Sequence, residues 1–294
     1  QRGLQPLPES VNEDKAKVAL GDKLFHDVRL SKDNSISCAS CHDLAKGATD
    51  QLQFSVGVDG ATGDINSPTV FNSGYQFMQF WDGRAVDLAD QADGPVNNPI
   101  EMASNWKDAT AKLTEDQVFT EEFLAVYPDG YKKENFVDAI AAFERTLITP
   151  APFDDFLKGD TEALTAKQQE GHQMFQDFGC ATCHTGIILG GKSFEVMGLR
   201  ADYFGERGDV IKRDYGRYNA TGDEYDRYRL KVPTLRNIAQ TFPYLHDGTA
   251  ETLEEAVDTM MTYQVGKKVT PAQSEALVAF LNSLTGSFRG EMLQ

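Results

Sequence analysis

The sequence predicts a mainly α-helical protein made of two successive modules of one design, with few strands. Three observations lead there. The chain repeats itself: Pro68-Thr69-Val70-Phe71-Asn72 returns as Pro233-Thr234-Leu235-Arg236-Asn237, and Trp81-Asp82-Gly83-Arg84-Ala85 with Leu88 returns as His246-Asp247-Gly248-Thr249-Ala250 with Leu253, both at an offset of 165 residues. Apolar residues recur at helical rather than alternating spacing along most of the chain. Finally, 294 residues that are 40% hydrophobic and 25% charged suit a globular chain of about two domains.

The N-terminal module is expected over 1–150 and the C-terminal one over 151–294, with the first fifteen or so residues packing on the C-terminal module. Each opens with a helix, marked by Gly21-x-x-Leu24-Phe25 and Gly171-x-x-Met174-Phe175. Periodicity predicts further helices over 108–126, 134–147, 165–175, 252–263 and 271–284, the last capped by Thr270 with Pro271 at its first position. Each module closes on an apolar helical segment, Ala142-Phe143-x-x-Thr146-Leu147 and Ala279-Phe280-x-x-Ser283-Leu284. Pro150, Pro152 and the turn at Lys158-Gly159-Asp160 mark the joint.

All four cysteines fall in two copies of one pattern, Cys38-Ala39-Ser40-Cys41-His42 and Cys180-Ala181-Thr182-Cys183-His184, which is C-x-x-C-H, the attachment signature for c-type haem. Two thiols at this spacing can form thioethers to the two vinyl positions of one haem edge, and the following histidine is then held under the iron as its proximal ligand. Redox disulfides, or one zinc site of four thiolates, are the competing readings, and each leaves the adjoining histidine unexplained twice. The pattern therefore predicts two covalently bound haem c groups. Each half reads as a cytochrome c-like helical module: opening helix, haem motif, loops, closing helix. The stretch 190–229, rich in Gly, Asp, Arg and Tyr, is expected to be a loop over a haem or between the modules.

Lys and Arg number 28 against 45 Asp and Glu, a net charge of −17 that repels nucleic acid and attracts a basic protein partner. No run of 18 apolar residues exists, and the most apolar stretches, such as 139–147, carry charges like Glu144-Arg145, so no membrane span is expected. The chain begins at Gln1 without a basic and apolar leader, and a targeting segment is expected either never to have been there or to have been removed.

From about residue 17 to residue 286 the sequence closely resembles the bacterial dihaem cytochrome c peroxidases, within the larger family that includes the MauG-type dihaem enzymes. The resemblance rests on five motifs in order: Leu30-Ser31, Asn66-Ser67-Pro68-Thr69-Val70-Phe71-Asn72, Phe80-Trp81-Asp82-Gly83-Arg84-Ala85, Gly94-Pro95-Val96 followed by Glu101-Met102, and Lys231-Val232-Pro233-Thr234-Leu235-Arg236-Asn237. It implies a peroxidatic N-terminal haem, where hydrogen peroxide is split, and a C-terminal haem that takes electrons from a small donor protein, a c-type cytochrome or a cupredoxin. It also implies an exported, periplasmic protein, and homodimers are common in the family.

Carried over residue by residue, the resemblance makes Trp81 the bridge between the haems and places Gln91 and Glu101 on the open face of the first. It makes Met260 the distal ligand of the second and assigns a calcium ion to the Asn66 side chain and the carbonyls of Thr241 and Pro243. Physical reasons support these roles. A thioether opposite histidine raises the potential of a haem that hands electrons on. Met260 lies fourteen residues after His246, whereas the duplicate position in the first module is Pro95, which cannot ligate iron. Met197 and Met261 are its competitors. Peroxide cleavage needs an acid/base to move a proton from the near to the far oxygen, the role expected of Glu101 with Gln91 assisting.

One departure stands out. Many members hold the peroxidatic haem closed in the resting enzyme with a histidine in the loop after the first haem motif, and that position here is Val58. Asp59 is a weak substitute ligand there. Of the five histidines, His42 and His184 are the proximal ligands, His26 and His172 read as partly exposed helix residues, and His246 is expected near the second haem, at a propionate. The expectation is a first haem ready for peroxide without reductive activation.

Three functions compete: a peroxidase fed by a small donor protein, a MauG-like oxidase of a protein substrate, and a non-catalytic dihaem electron carrier. The MauG-like activity is associated with tyrosine as distal ligand, where this sequence has Met260.

Overall fold

A computed structural model describes residues 3–294. It is mainly helical, with four strands of two or three residues each among the described residues, as the sequence predicts. No helix among them is long and apolar enough to cross a membrane.

The opening helix Lys15–Phe25 crosses the helix Lys133–Arg145, and the helix Ala166–Asp177 crosses Pro271–Asn282 in the same way. Glycine sets both crossings. A Cβ on Gly21 would fall 1.9 Å from the carbonyl oxygen of Ala139, and one on Gly171 would fall 1.8 Å from that of Ala276. Only a residue without a side chain lets the backbones approach so closely. Thr165 and Thr270 cap their helices by accepting the N–H groups of Gln168 and Gln273, which satisfies donors left free at a helix start.

Two groups of apolar residues fill the interior around these crossings. Leu24, Phe123, Phe136 and Ile140 centre the first; Phe153, Phe175, Phe280 and Leu284 centre the second, which Leu4 also joins. Next to the second core, Arg236 and Asp154 form a fully buried two-pronged ion pair at 2.7 and 2.8 Å, and Asp154 also accepts the N–H of Leu7. Between the halves lies a shared contact. Asn72 and Asn237, duplicate positions with φ near +60°, both donate side-chain N–H groups to the hydroxyl of Thr149, at 2.9 and 2.8 Å.

Three sequence expectations need correction. The stretch 108–126 is two helices, Trp106–Leu113 and Gln117–Val126, because Asp116 accepts the N–H of Phe119 and restarts the chain as a new cap. The stretch 190–229 is no plain loop: Phe194–Val196 pairs antiparallel with Arg229–Lys231, and the helix Tyr203–Arg207 lies between them. Aromatic and arginine side chains stacked on one another supply its order, Arg227 lying over both Tyr215 and Tyr218. His172 is buried among Phe153, Phe156 and Phe280 instead of partly exposed. His26 is exposed at its helix end, as expected.

Candidate functional site

Each C-x-x-C-H motif forms a tight turn that ends on its histidine. The backbone N–H of His42 donates to the carbonyl of Cys38, and that of His184 to the carbonyl of Cys180, both at 3.0 Å. Nδ1 of His42 lies 3.3 Å from the carbonyl oxygen of Ala48, and Nδ1 of His184 lies 3.3 Å from that of Leu189. A carbonyl can only accept, so Nδ1 carries the proton and Nε2 keeps a lone pair for a metal. Burial holds both imidazoles below the ordinary histidine range, hence neutral.

Burial also pushes the Cys41 and Cys180 thiols up to about 11, and raises Cys38 and Cys183. The one convergence of three metal-ligating side chains among the described residues, Asp214 with His246 and Asp247, contains no cysteine, which removes the zinc reading. Around the second motif a cavity of about 490 Å³ is lined by Cys180, Cys183, His184 and the methionines Met197, Met260 and Met261. Two thiols, an imidazole with a free Nε2 and a thioether are the donors that a covalently bound haem needs.

Met261 belongs to the second core and Met197 to a smaller core with Tyr203, Phe204 and Leu230. Met260 is half-buried at the end of the helix Leu253–Met260, where the chain passes into the π-helical turn Met261–Val265.

At the first motif, Ser37 starts the turn, its N–H donating to the Ser40 hydroxyl. Glu101 is close enough for its charge to raise both Cys38 and Cys41. Burial pushes the Glu101 carboxyl above the ordinary glutamate range, against the opposing effects of Asn98, whose amide donates to it at 2.8 Å, and of the Arg84 charge. Its backbone is tied back to the helix Leu88–Asn97, which carries Gln91, since Met102 N–H donates to Pro95 and Ser104 N–H to Val96. The loop holding Val58 is a small hairpin closed by Val56 and Thr62, and the buried Val58 donates its N–H to the carbonyl of Glu101 at 2.9 Å.

Trp81 and Asn66 line the cavity of the second motif, as do Thr241, Pro243 and His246. The indole N–H of Trp81 donates to the carbonyl of Asn66 at 2.8 Å. The Asn66 amide nitrogen donates to the carbonyls of Leu52 and Gln53, which leaves its amide oxygen as the atom for a cation. His246 is buried and bonds Asp214 at 2.7 Å. Arg207 bonds both Asp214 and Asp247 at 2.7 Å and Arg213 lies 3.6 Å from Asp214, so two guanidinium groups already neutralise the acidic convergence.

Sequence reasoning missed two buried charges. Lys231, pushed down by burial to about 7, donates to Gln76 and to the carbonyl of Met78 and lines the cavity. Glu144, pushed up by burial to about 8, has a carboxyl oxygen with no partner and lies close enough to raise the Cys38 thiol. Glu144 sits on an otherwise apolar helix face, where periodicity alone marks it as the odd residue.

Fold and site together define a class: duplicated helical proteins built to hold two c-type haems. The chain belongs to the di-haem cytochrome c peroxidase family, whose model matches residues 15–162. It is 53% identical over 287 residues to cytochrome c peroxidase Ccp of Escherichia coli K12, a match that covers 97% of this chain and 61% of that protein. The chain thus spans about three-fifths of that relative's length. It is 43% identical over 285 residues to cytochrome c551 peroxidase of Nitrosomonas europaea, covering 96% of this chain and 84% of that one. The crystal structure of a MauG-like protein associated with microbial copper homeostasis superposes with a TM-score of 0.82 at 28% identity, covering 95% of this chain and 94% of that one.

Proposed function

We propose that this protein reduces hydrogen peroxide to water with electrons from a small donor protein, a c-type cytochrome or a cupredoxin, in the periplasm. The observation that carries this reading is the half-buried Glu101 carboxyl, held by Asn98 beside the Cys38–Cys41 turn. Bound at the first motif, haem would supply the iron at which the oxygen–oxygen bond is cleaved. Glu101 moves the proton from the near to the far oxygen, and its raised pKa suits it to both accepting and returning that proton. Gln91, on the helix to which the Glu101 segment is tied, orients the peroxide.

His42 and His184 would bind the two irons through Nε2, and Cys38, Cys41, Cys180 and Cys183 would form the thioethers. Met260 would complete the second iron: Met197 and Met261 are buried members of apolar cores, whereas Met260 is half-buried and packs only against the edge of the core that holds Met197. Trp81 lies on the path between the modules. Asn66, Thr241 and Pro243 hold calcium at the wall that Trp81 shares. The module boundary falls at 150–151, and the −17 charge favours the approach of a basic donor.

Val58 is aliphatic and buried and can supply no ligand, so a haem held at the first motif would be open on that side before any electron arrives. Stopped-flow mixing of peroxide with the fully oxidised holoprotein tests this: a rapid Soret change without reductant supports it. A change only after one electron per protein refutes the open site while leaving the peroxidase reading intact. Oxidation of a reduced small cytochrome in step with peroxide consumption separates the peroxidase from an oxidase of protein substrates and from a passive carrier.

A further inference from the structure

Two tyrosines beside the inter-module tryptophan share an arrangement that the proposed reaction leaves unused. Tyr203 is buried, and its hydroxyl donates to Asp247 Oδ2 at 2.7 Å. Arg207 bonds the same carboxyl oxygen, which keeps Asp247 an anion. Tyr263 meets Tyr203 edge to face, with ring centroids 5.2 Å apart and planes at 85°. Its own hydroxyl donates to Glu206 Oε2 at 2.6 Å, and Glu206 is exposed. On the inner side, Trp81 packs against the small core that contains Tyr203 and Phe204, and the Phe204 ring lies 5.8 Å from His246. Two phenols in contact, each bonded to a carboxylate, thus run from the tryptophan's surroundings to solvent.

A phenol gives up an electron readily only if its proton can leave at the same time, because the oxidised phenol is a far stronger acid than the phenol itself. A carboxylate at hydrogen-bond distance is the acceptor this requires. In the resting protein both hydroxyls hold their protons: burial raises Tyr203, and the bond to Glu206 raises Tyr263.

We propose that Tyr203 and Tyr263 form a relay that delivers electrons from small phenols or hydroquinones in solvent to the oxidised interior, as a second entrance for reducing equivalents beside the donor protein. The relay rests on the peroxidase reading, since hydrogen peroxide is its oxidant. Peroxide takes two electrons and two protons and leaves as two waters. One electron leaves Tyr203 toward Trp81 while its proton passes to Asp247. Tyr263 then reduces Tyr203, which recovers its proton from Asp247, and the Tyr263 proton passes to Glu206. A solvent hydroquinone restores Tyr263 by giving one electron and one proton, and the exposed Glu206 releases the proton it took to water. A second passage of the relay completes the balance for each peroxide, the two protons released to water replacing the two that peroxide takes up.

The test uses the holoprotein with hydroquinone as probe. Wild type is expected to oxidise hydroquinone in a peroxide-dependent reaction, and Tyr263→Phe to lose that reaction while still oxidising a reduced small c-type cytochrome at the wild-type rate. Tyr263→Phe removes one exposed hydroxyl and keeps the ring, so the fold stands. Freeze-quench EPR after peroxide, with no donor and with ring-deuterated tyrosine, is expected to show a radical whose hyperfine structure narrows on deuteration, and Tyr263→Phe is expected to lose its solvent-accessible component. Unchanged hydroquinone oxidation in Tyr263→Phe overturns the relay. Consumption of reduced cytochrome without any of hydroquinone overturns the relay alone; consumption of neither overturns the peroxidase reading with it.

Discussion

The indole of Trp81 and the imidazole of His246 meet edge to face, with ring centroids 6.3 Å apart and planes at 68°. They are duplicate positions, one from each half, so the repeat brings its two copies of one residue together. The contact is locked from both sides: Asn66 accepts the indole N–H at its carbonyl and donates its own N–H to the carbonyl of His246, each at 2.8 Å.

That lock predicts the behaviour of Trp81→Phe. The variant keeps an aromatic ring in the cavity wall and loses the bond to Asn66. Donor-dependent peroxide reduction is expected to fall by about tenfold or more, a barrier increase of at least about 1.4 kcal/mol. The haem spectra stay unchanged. Steady-state turnover with a reduced small cytochrome, set beside optical spectra of the oxidised protein, checks both halves of the statement.

Glu101→Gln keeps the shape and the hydrogen-bonding length of the side chain and removes its proton. Turnover is expected to drop on the order of 10²–10⁴-fold, the range of a lost general acid–base. Because burial raises the Glu101 pKa, wild-type activity is expected to fall with decreasing pH at a higher pH than an ordinary glutamate would give. The pH–rate profile of Glu101→Gln lacks that acid limb. An unmoved limb would assign it to another group.

Gly21→Ala and Gly171→Ala test the duplication as a packing rule. Each new Cβ would fall within 2 Å of a carbonyl oxygen, at 1.9 and 1.8 Å, with a phenylalanine Cβ at 2.8 and 2.9 Å. Overpacking of this kind costs typically about 1–3 kcal/mol. The two variants are expected to lose similar amounts, read by thermal or denaturant unfolding of the holoprotein.

Glu144 ties stability to pH. Its folded-state pKa, about 8, lies above the ordinary glutamate value. The contribution is therefore fully present below the unfolded-state pKa and is lost as pH rises through about 8, since the carboxyl must then ionise while buried. Glu144→Gln is expected to flatten the decline in melting temperature between pH 5 and pH 8, measured by calorimetry in one buffer series.

The sequence and the structure agree best where chemistry is local. A C-x-x-C-H turn needs five consecutive residues, and both histidines stand with Nδ1 on a backbone carbonyl. Helices with strong caps, such as the one begun by Thr270 and Pro271, appear as read. Features that rest on distant partners were invisible. Nothing near Lys231 in sequence announces Gln76, and Asp214 finds His246 across 32 residues. The stretch 190–229 read as loop because its order comes from arginine–aromatic stacking, which has no periodicity to detect. His172 reads as partly exposed because the rings that bury it, Phe153 and Phe280, come from other helices.

Thr149 has an equivalent in the second half, and it is Gly286: as Thr149 N–H donates to the Asn72 side chain, Gly286 N–H donates to that of Asn237. A side chain at 286 is impossible, because its Cβ would fall 2.1 Å from the carbonyl oxygen of Thr149. One hydroxyl with two lone pairs therefore serves both asparagines. Two identical modules meeting in this way would bring two threonines into space for one, so perfect symmetry is forbidden at the point where the halves touch. Cutting the chain after Thr149 would leave the first half with its hydroxyl and the second with Asn237 short of an acceptor, which makes the two modules unequal tenants of a single seam.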